Sequence, residues 1–350
     1  MNAIMGKTLW VNLTSGEVRE ENTPTDVIER FLGGLGLAAY YLYQRIPPGA
    51  DPLGPENILA LVPGVLTASG SLMTGRWMAA AKSPLTGTWG DANCGGTFAP
   101  AIKRCGYDGI FFSGQSAEPV YLLIDHGRAE LRSAKGLWGL DARQTEDALR
   151  QALPGRAPSV ACIGPAGEKL SLISGIVNDG GRLAARSGLG AVMGAKRLKA
   201  VVLRGSAAVQ TANPEEIRRL STKFLRTVRF QPPFLNGKAT RLLGTVMRKM
   251  PLQMRQDGML YKFFLQKYGT SGLNQFSVET GDAPILNWRG SSEDLPPGRS
   301  ALIDPDRIRE REIEKYHCYS CPVACGGLAQ FDSGRQETHK PEYETILAFA

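Results

Sequence analysis

Apolar and polar residues alternate at Leu9, Val11 and Leu13, a Thr-Ser-Gly turn follows, and a second alternating run completes the pattern of a β-hairpin. Residues 24–45 carry helical spacing, interrupted at Gly33-Gly34-Leu35-Gly36. Strand-like runs recur at 57–62, 77–82, 109–113, 119–124, 158–163 and 199–204, with helical patterns at 98–104 and 143–152 between some of them. This mixture predicts an α+β domain over residues 1–205, built on a mixed or antiparallel sheet. Beyond Gly205 the character changes. Ser206 to Ala212 is small and polar, as in a linker. Asn213 then offers an N-cap, Pro214 the first helical position, and Glu215 and Glu216 the first turn. Ile217, Leu220, Phe224 and Val228 follow at helical spacing, so residues 206–350 are expected to form a second, mostly α-helical domain. The final segment, Pro341 to Ala350, predicts a helix whose run Ile346-Leu347-Ala348-Phe349 needs cover, and the chain reads as cut short at residue 350.

One stretch of the first domain echoes another. Gly95, a short helix, Lys103-Arg104, the run Ile110 to Ser113 and Gly114 are matched by Gly188, a short helix, Lys196-Arg197, the run Ala200 to Arg204 and Gly205. The echo predicts pseudo-duplicated halves able to hold two like ligands.

Composition adds a hint about those ligands. The 41 glycines cluster at 33–36, 85–96 and 180–194, where bare backbone can line a site. A net charge of +8 points to an anionic partner. The basic residues are dispersed and lack interleaved aromatics, which does not fit nucleic-acid binding. No secretory signal opens the chain, and its longest apolar run, Ile58 to Met73, is broken by Pro63, Gly64 and Gly70, so no membrane span is expected and the protein reads as soluble and cytoplasmic.

Four groups of residues carry candidate chemistry. Cys94, Cys105 and Cys162 are scattered and read as small buried hydrophobes, whereas Cys318, Cys321 and Cys325 form a C-x2-C-x3-C array. Three thiolates so spaced can converge on an iron–sulfur centre or on zinc. A fourth cysteine from elsewhere would complete a [4Fe–4S] cluster, and His317 or His339 would complete a zinc site. Gly34-Leu35-Gly36-Leu37-Ala38-Ala39 matches a dinucleotide fingerprint, but a helix precedes it where that motif needs a strand. Two glycine–arginine stretches, Thr74-Gly75-Arg76 with Asp91-Ala92-Asn93-Cys94-Gly95-Gly96 and Gly180 to Gly188, offer backbone N–H groups and guanidinium forks to phosphate. Glu342 and Glu344 lie in the first turn of the last helix, where they offset the helix dipole or, beside a metal, exchange protons.

Taken in order, Gly75-Arg76, Lys82 to Gly87, Asn93 to Gly96, Gly106-Tyr107-Asp108, Trp138-Gly139, Ile163 to Glu168, Val177-Asn178-Asp179 and Gly190 to Lys196 resemble the aldehyde:ferredoxin oxidoreductase family, and the likeness runs from about residue 6 to 350. The resemblance implies tungsten (or molybdenum) held by the dithiolenes of two pterins, with Mg2+ bridging the pterin phosphates. Arg76, Asn93, Gly95, Arg182, Leu183, Ala185 and Arg186 would surround the pterins, with Asn93 and the Leu183 carbonyl beside Mg2+. Cys318, Cys321 and Cys325 would bind the [4Fe–4S] cluster, and Glu344 matches the family's acidic residue near the metal. Relatives commonly have alanine at the place of Leu183 and glycine at that of Ala185.

The activity implied is oxidation of an aldehyde to a carboxylate, with electrons passed through the cluster to ferredoxin or another iron–sulfur subunit. The second-half pterin motifs and the partner of Glu344 are not in these 350 residues, so this portion alone is expected to be inactive. A homo-oligomer is compatible with the sequence. The catalytic subunit of a tungsten-dependent benzoyl-CoA reductase is the alternative within the same frame. A zinc-stabilised interaction module is the alternative from another class.

Overall fold

The structure, a computed structural model, describes residues 2–233, 236–249, 258–295, 301–331 and 337–348. The chain divides into two compact units. One comprises Met1–Arg219 with Cys318–Ser320, the other Leu220–His317 with Cys321–Ala350.

The first unit opens with β1 (Lys7–Asn12), β2 (Val18–Asn22), α1 (Thr25–Phe31), α2 (Leu35–Arg45), β3 (Leu59–Pro63), β4 (Trp77–Lys82), β5 (Trp89–Cys94), α3 (Phe98–Arg104) and β6 (Ile110–Ser113). It continues with β7 (Val120–Asp125), β8 (Arg128–Ser133), α4 (Ala142–Ala152), β9 (Ser159–Cys162), α5 (Pro165–Glu168), β10 (Ile176–Asn178), β11 (Arg182–Ala184), α6 (Leu189–Ala195) and β12 (Leu198–Arg204). Two six-stranded sheets result, ordered β2-β1-β6-β3-β4-β5 and β8-β7-β12-β9-β10-β11. The orders correspond strand for strand. In each sheet one pair is parallel, β1 with β6 and β7 with β12, and the others are antiparallel. The sequence echo therefore falls on equivalent elements, α3–β6 and α6–β12.

Period-two burial builds the layers. Leu9, Leu61, Ala79 and Phe112 of the first sheet and Leu122, Ala161 and Val201 of the second face one shared core, into which α3 and α6 insert Phe98, Ile102, Val192 and Met193. The alternate residues face outward. Trp10, Val62 and Phe111 pack under α2, and Leu123, Val160 and Val202 pack under α4. The strands β5 and β8 escape sequence detection because they carry few large apolar residues, and β10 and β11 because they are only three residues long.

Two of the motifs in the resemblance prove to be internal clamps. Asp108 accepts from Met5 N (3.1 Å) and Gly6 N (2.7 Å) and pairs with the buried Lys103. Glu168 accepts from Gly139 N (2.9 Å) and pairs with Lys199, which is fully buried and also reaches Leu140 O (2.8 Å). Removing one member of such a pair strands a buried charge and costs about 3–5 kcal/mol.

Past the first sheets, α7 (Pro214–Arg229) begins where its capping residues indicate, with Asn213 Oδ1 accepting from Glu216 N at 2.9 Å. The second unit holds α8 (Gly237–Lys249), α9 (Gly258–Tyr268), α10 (Asn274–Thr280), α11 (Pro305–Arg309), β13 (Glu312–Tyr316), β14 (Gly326–Gln330), β15 (Glu337–His339) and α12 (Tyr343–Ala348). It is less helical than the sequence suggests. Three short antiparallel strands, β13-β14-β15, form a sheet whose charged and glycine-rich residues carry no alternation to read. Of the apolar run in α12, Leu347 is buried with Val278, Ala283, Ile285 and Ile303 and Ile346 packs against them, while Phe349 lies outside the described residues. Among the described residues no helix is long and apolar enough to cross a membrane.

Candidate functional site

The short segment Cys318–Ser320 is sewn into the first unit by backbone bonds. Tyr319 N donates to Gly96 O (3.0 Å), Met73 N donates to Ser320 O (2.8 Å), and Ser320 Oγ donates to Ser71 O (2.8 Å). Gly75 makes room for it, since a Cβ there would lie 2.8 Å from Tyr319 N and from its Cβ. The strap delivers one cysteine to a defined place.

That place is the end of the β4–β5 pair. Trp77 faces Cys94 and Met78 faces Asn93, so Arg76 stands beside Gly95 just past the strand ends. Arg76 Nε donates to Asn93 Oδ1, and Asn93 Nδ2 contacts Met78 Sδ at 2.7 Å. A Cβ on Gly95 would collide with Cys318 Sγ and lie 3.3 Å from Arg76 Nη1 and 3.5 Å from Arg182 Nη1. Arg182 Nη1 is itself 3.1 Å from Cys318 Sγ. Arg76, Asn93, Gly95, Arg182 and Cys318 thus meet around one patch of bare backbone. Two guanidinium groups and a peptide without a side chain suit an anionic group, because each donor is charged or fixed.

The loop is locked from the other half of the unit. Asp179, in the β10–β11 hairpin, accepts from Thr97 N (2.5 Å) and Thr97 Oγ1 (2.7 Å) at the start of α3. Its buried neighbour Asn178 donates to Gly95 O (3.1 Å) and accepts from Cys94 Sγ (3.0 Å). Gly180 N donates to Glu146 at 2.7 Å, and burial pushes the Glu146 carboxyl above its usual range, against the pull of that N–H. Asn178 and Asp179 carry no role in the sequence reading. The Asn-Asp-Gly-Gly turn was the available signal, and its partners lie about eighty residues away in the chain, as the Asn178–Gly95 and Asp179–Thr97 bonds show.

The second glycine–arginine stretch lies where the first has its counterpart, on β11 and the loop into α6. Leu183, Ala185 and Arg186 are exposed there. The two segments touch: Ser187 Oγ donates to Asp91 O (3.2 Å), and Ser187 O accepts from Ser83 Oγ (2.9 Å). Of this stretch Arg182 reaches Cys318, whereas Leu183, Ala185 and Arg186 are outside that cluster of contacts among the described residues.

The remaining candidates fare differently. Cys94, Cys105 and Cys162 are buried, and burial pushes each thiol up to about 12, so they stay protonated and inert. Cys318 belongs to the first unit and Cys321 and Cys325 to the second; among the described residues no group of three or more His, Cys, Asp or Glu side chains is gathered as a metal site. His339 Nδ1 is bonded to Tyr316 OH at 2.6 Å, which occupies one of its ring nitrogens. Glu342 accepts from Thr270 Oγ1. Glu344 lies in the first turn of α12, and its side chain is outside the described residues. Gly34 caps α2 and Gly36 lies in its first turn, with α1 just ahead, so the dinucleotide fingerprint has no strand to feed it.

Comparison with known proteins agrees with this fold. Residues 8–205 match the sequence model of the aldehyde ferredoxin oxidoreductase N-terminal domain, and residues 245–350 match that of domains 2 and 3. The chain belongs to the aldehyde ferredoxin oxidoreductase family. The tungsten-containing aldehyde ferredoxin oxidoreductase of Thermococcus kodakarensis is 35% identical over 344 residues, which are 98% of this chain and 52% of that protein. The corresponding Pyrococcus furiosus protein is 33% identical, over 98% of this chain and 52% of its own length. An aliphatic sulfonate oxidoreductase, WOR-like subunit, of the same organism is 28% identical over 98% of this chain and 53% of its own length. Among solved structures, the active-site complex BamBC of benzoyl coenzyme A reductase with 1,5-dienoyl-CoA aligns with a TM-score of 0.74 and 28% identity, over 97% of this chain and 48% of that one. The chain spans about half the length of the relatives it matches.

Proposed function

We propose that this chain is the cofactor-binding base of a tungsten–bispterin oxidoreductase that converts an aldehyde to a carboxylate and passes the electrons to ferredoxin. The observation that carries the reading is the meeting of Arg76, Gly95 and Arg182 around Cys318 Sγ. In this reading Arg76 and Arg182 hold the anionic pterin nearer the cluster, and the open Gly95 backbone admits it. Arg186 and the backbone at Leu183 and Ala185 serve the second pterin, on the equivalent loop of the other half. Asn93 Oδ1 and the Leu183 carbonyl are hard oxygen donors suited to Mg2+. Cys318, Cys321 and Cys325 bind a [4Fe–4S] cluster. When bound, tungsten with its pterins supplies the two-electron redox chemistry and the cluster the exit route for electrons. Glu344, carried over from the resemblance, exchanges the substrate's proton through its carboxylate.

Native protein purified anaerobically tests this directly. Tungsten, iron and acid-labile sulfide in the preparation, with dye-linked oxidation of an aldehyde, support the reading; zinc alone, without iron, overturns it. The structural likeness to the BamBC complex favours one second reading, reduction of benzoyl-CoA at the same frame. The same preparation assayed with benzoyl-CoA separates the two.

A further inference from the structure

Behind the strap, the first unit has a recess of about 280 Å³ that no part of the proposed cofactor site uses. Its lining includes Arg104, Arg150, Arg156, Arg204 and Tyr319, the residue that follows Cys318. Four guanidinium groups around one recess repel one another unless anions neutralise them. Two are matched internally. Arg204 pairs with Asp125 (Nε to Oδ1 2.7 Å), and Arg150 pairs with Glu146 at 2.5 Å. Arg156 is exposed, and Arg104 lies over the Tyr319 ring, its guanidinium carbon 5.5 Å from the centroid. Among the described residues neither Arg104 nor Arg156 has a carboxylate within ion-pair distance. An unneutralised positive recess is thus built against the residue next to a proposed cluster ligand.

We propose that this recess docks an acidic electron-transfer protein, a carboxylate of the partner entering between Arg104 and Arg156. The inference rests on the oxidoreductase reading above and adds the face at which electrons leave. A flat basic surface would serve any anion, whereas a recess walled by Tyr319 places the partner beside the strap that carries Cys318. Charge at such a contact chiefly sets the encounter rate, its salt dependence and specificity.

The test uses the natively purified protein and a 2[4Fe–4S] ferredoxin of strongly negative net charge. Binding is measured by calorimetry at low and high salt, in wild type, in the double variant R104S/R156S and in the control R19S/K135S. Arg19 and Lys135 sit in exposed pairs with Glu21 and Glu118, outside the recess. The expected result is a Kd raised about tenfold or more in R104S/R156S at low salt, with a flatter salt dependence, and a control close to wild type. Dye-linked aldehyde turnover, which needs no protein partner, stays at the wild-type rate in both variants. Ferredoxin binding by R104S/R156S equal to wild type overturns the docking face. Wild-type protein without any dye-linked turnover overturns the parent reading instead, and leaves the binding comparison to be judged by itself.

Discussion

Gly95→Ala probes the proposed site with a single carbon. The new Cβ would sit 3.3 Å from Arg76 Nη1 and 3.5 Å from Arg182 Nη1, distances that flexible guanidinium ends accommodate. Cys318 Sγ is the obstacle, because its segment is held by the Tyr319–Gly96, Met73–Ser320 and Ser320–Ser71 bonds. Gly95 has no positive φ, so the substitution strains no dihedral and acts through crowding alone. Overpacking of this kind costs about 1–3 kcal/mol. Taken wholly from stability, that lowers the melting temperature by about 2–12 °C for a unit of this size. Taken wholly from retention of a group bound at Cys318, it weakens retention about 5- to 150-fold. The assay is iron and labile sulfide per chain, with melting followed by circular dichroism. Gly136→Ala is the control, since its Cβ would meet nothing within 4 Å and its φ is ordinary. The account expects Gly95→Ala to fold, to melt somewhat earlier and to purify depleted in iron. Wild-type iron content and melting in Gly95→Ala would refute the reasoning, because the cradle would then have room that the structure denies it.

Three further outcomes follow from the same geometry. Asp179→Ala removes both bonds to Thr97 and should destabilise the first unit by about 1.5–3 kcal/mol per charge-assisted bond lost, seen as a lower denaturation midpoint, while Asp147→Ala, on the α4 surface, stays within about 0.5 kcal/mol of wild type. Lys196, whose Nζ donates to the carbonyls of Asn57 (2.5 Å) and Gly114 (3.0 Å), is pushed down by burial from 10.5 to about 7. A lowered lysine binds its proton more weakly folded than unfolded, so stability rises with pH between about 7 and 10.5, by at most about 1.4 kcal/mol per unit. Denaturation at pH 7, 8 and 9 should show that slope in wild type and a slope shallower by this contribution in Lys196→Met. Iodoacetamide at pH 7.5 on metal-free folded protein should label Cys321 and Cys325, which are half-exposed, and spare Cys94, Cys105 and Cys162; labelling of the buried three at the same rate would contradict their raised thiols.

The nearly continuous apolar strands, such as Leu59–Pro63 and Leu198–Arg204, could be read from the chain because both of their faces are buried. The hairpin strands β10 and β11 could not, since three residues give no period and Arg182 and Leu183 look like loop. The duplication was visible only as a faint echo around Lys103-Arg104 and Lys196-Arg197. Topology explains why that part persists: each lysine is buried and ties the end of its helix to distant carbonyls, Ala3 for Lys103 and Asn57 with Gly114 for Lys196. Sequence also marked Arg76, Gly95, Arg182 and Cys318 separately, through glycine, arginine and cysteine spacing. Their convergence was not legible, because it depends on Cys318–Ser320 rejoining the first unit after about a hundred residues of chain.

The most direct test is the composition of the native protein. Purified anaerobically and extracted gently, it should carry tungsten, a pterin, and iron with an equal amount of labile sulfide, and the R76S/R182S variant should lose pterin while keeping its fold by circular dichroism. A colourless wild-type protein free of iron and pterin, or a double variant that retains its pterin in full, would contradict the claim that these two arginines grip an anionic cofactor beside Cys318.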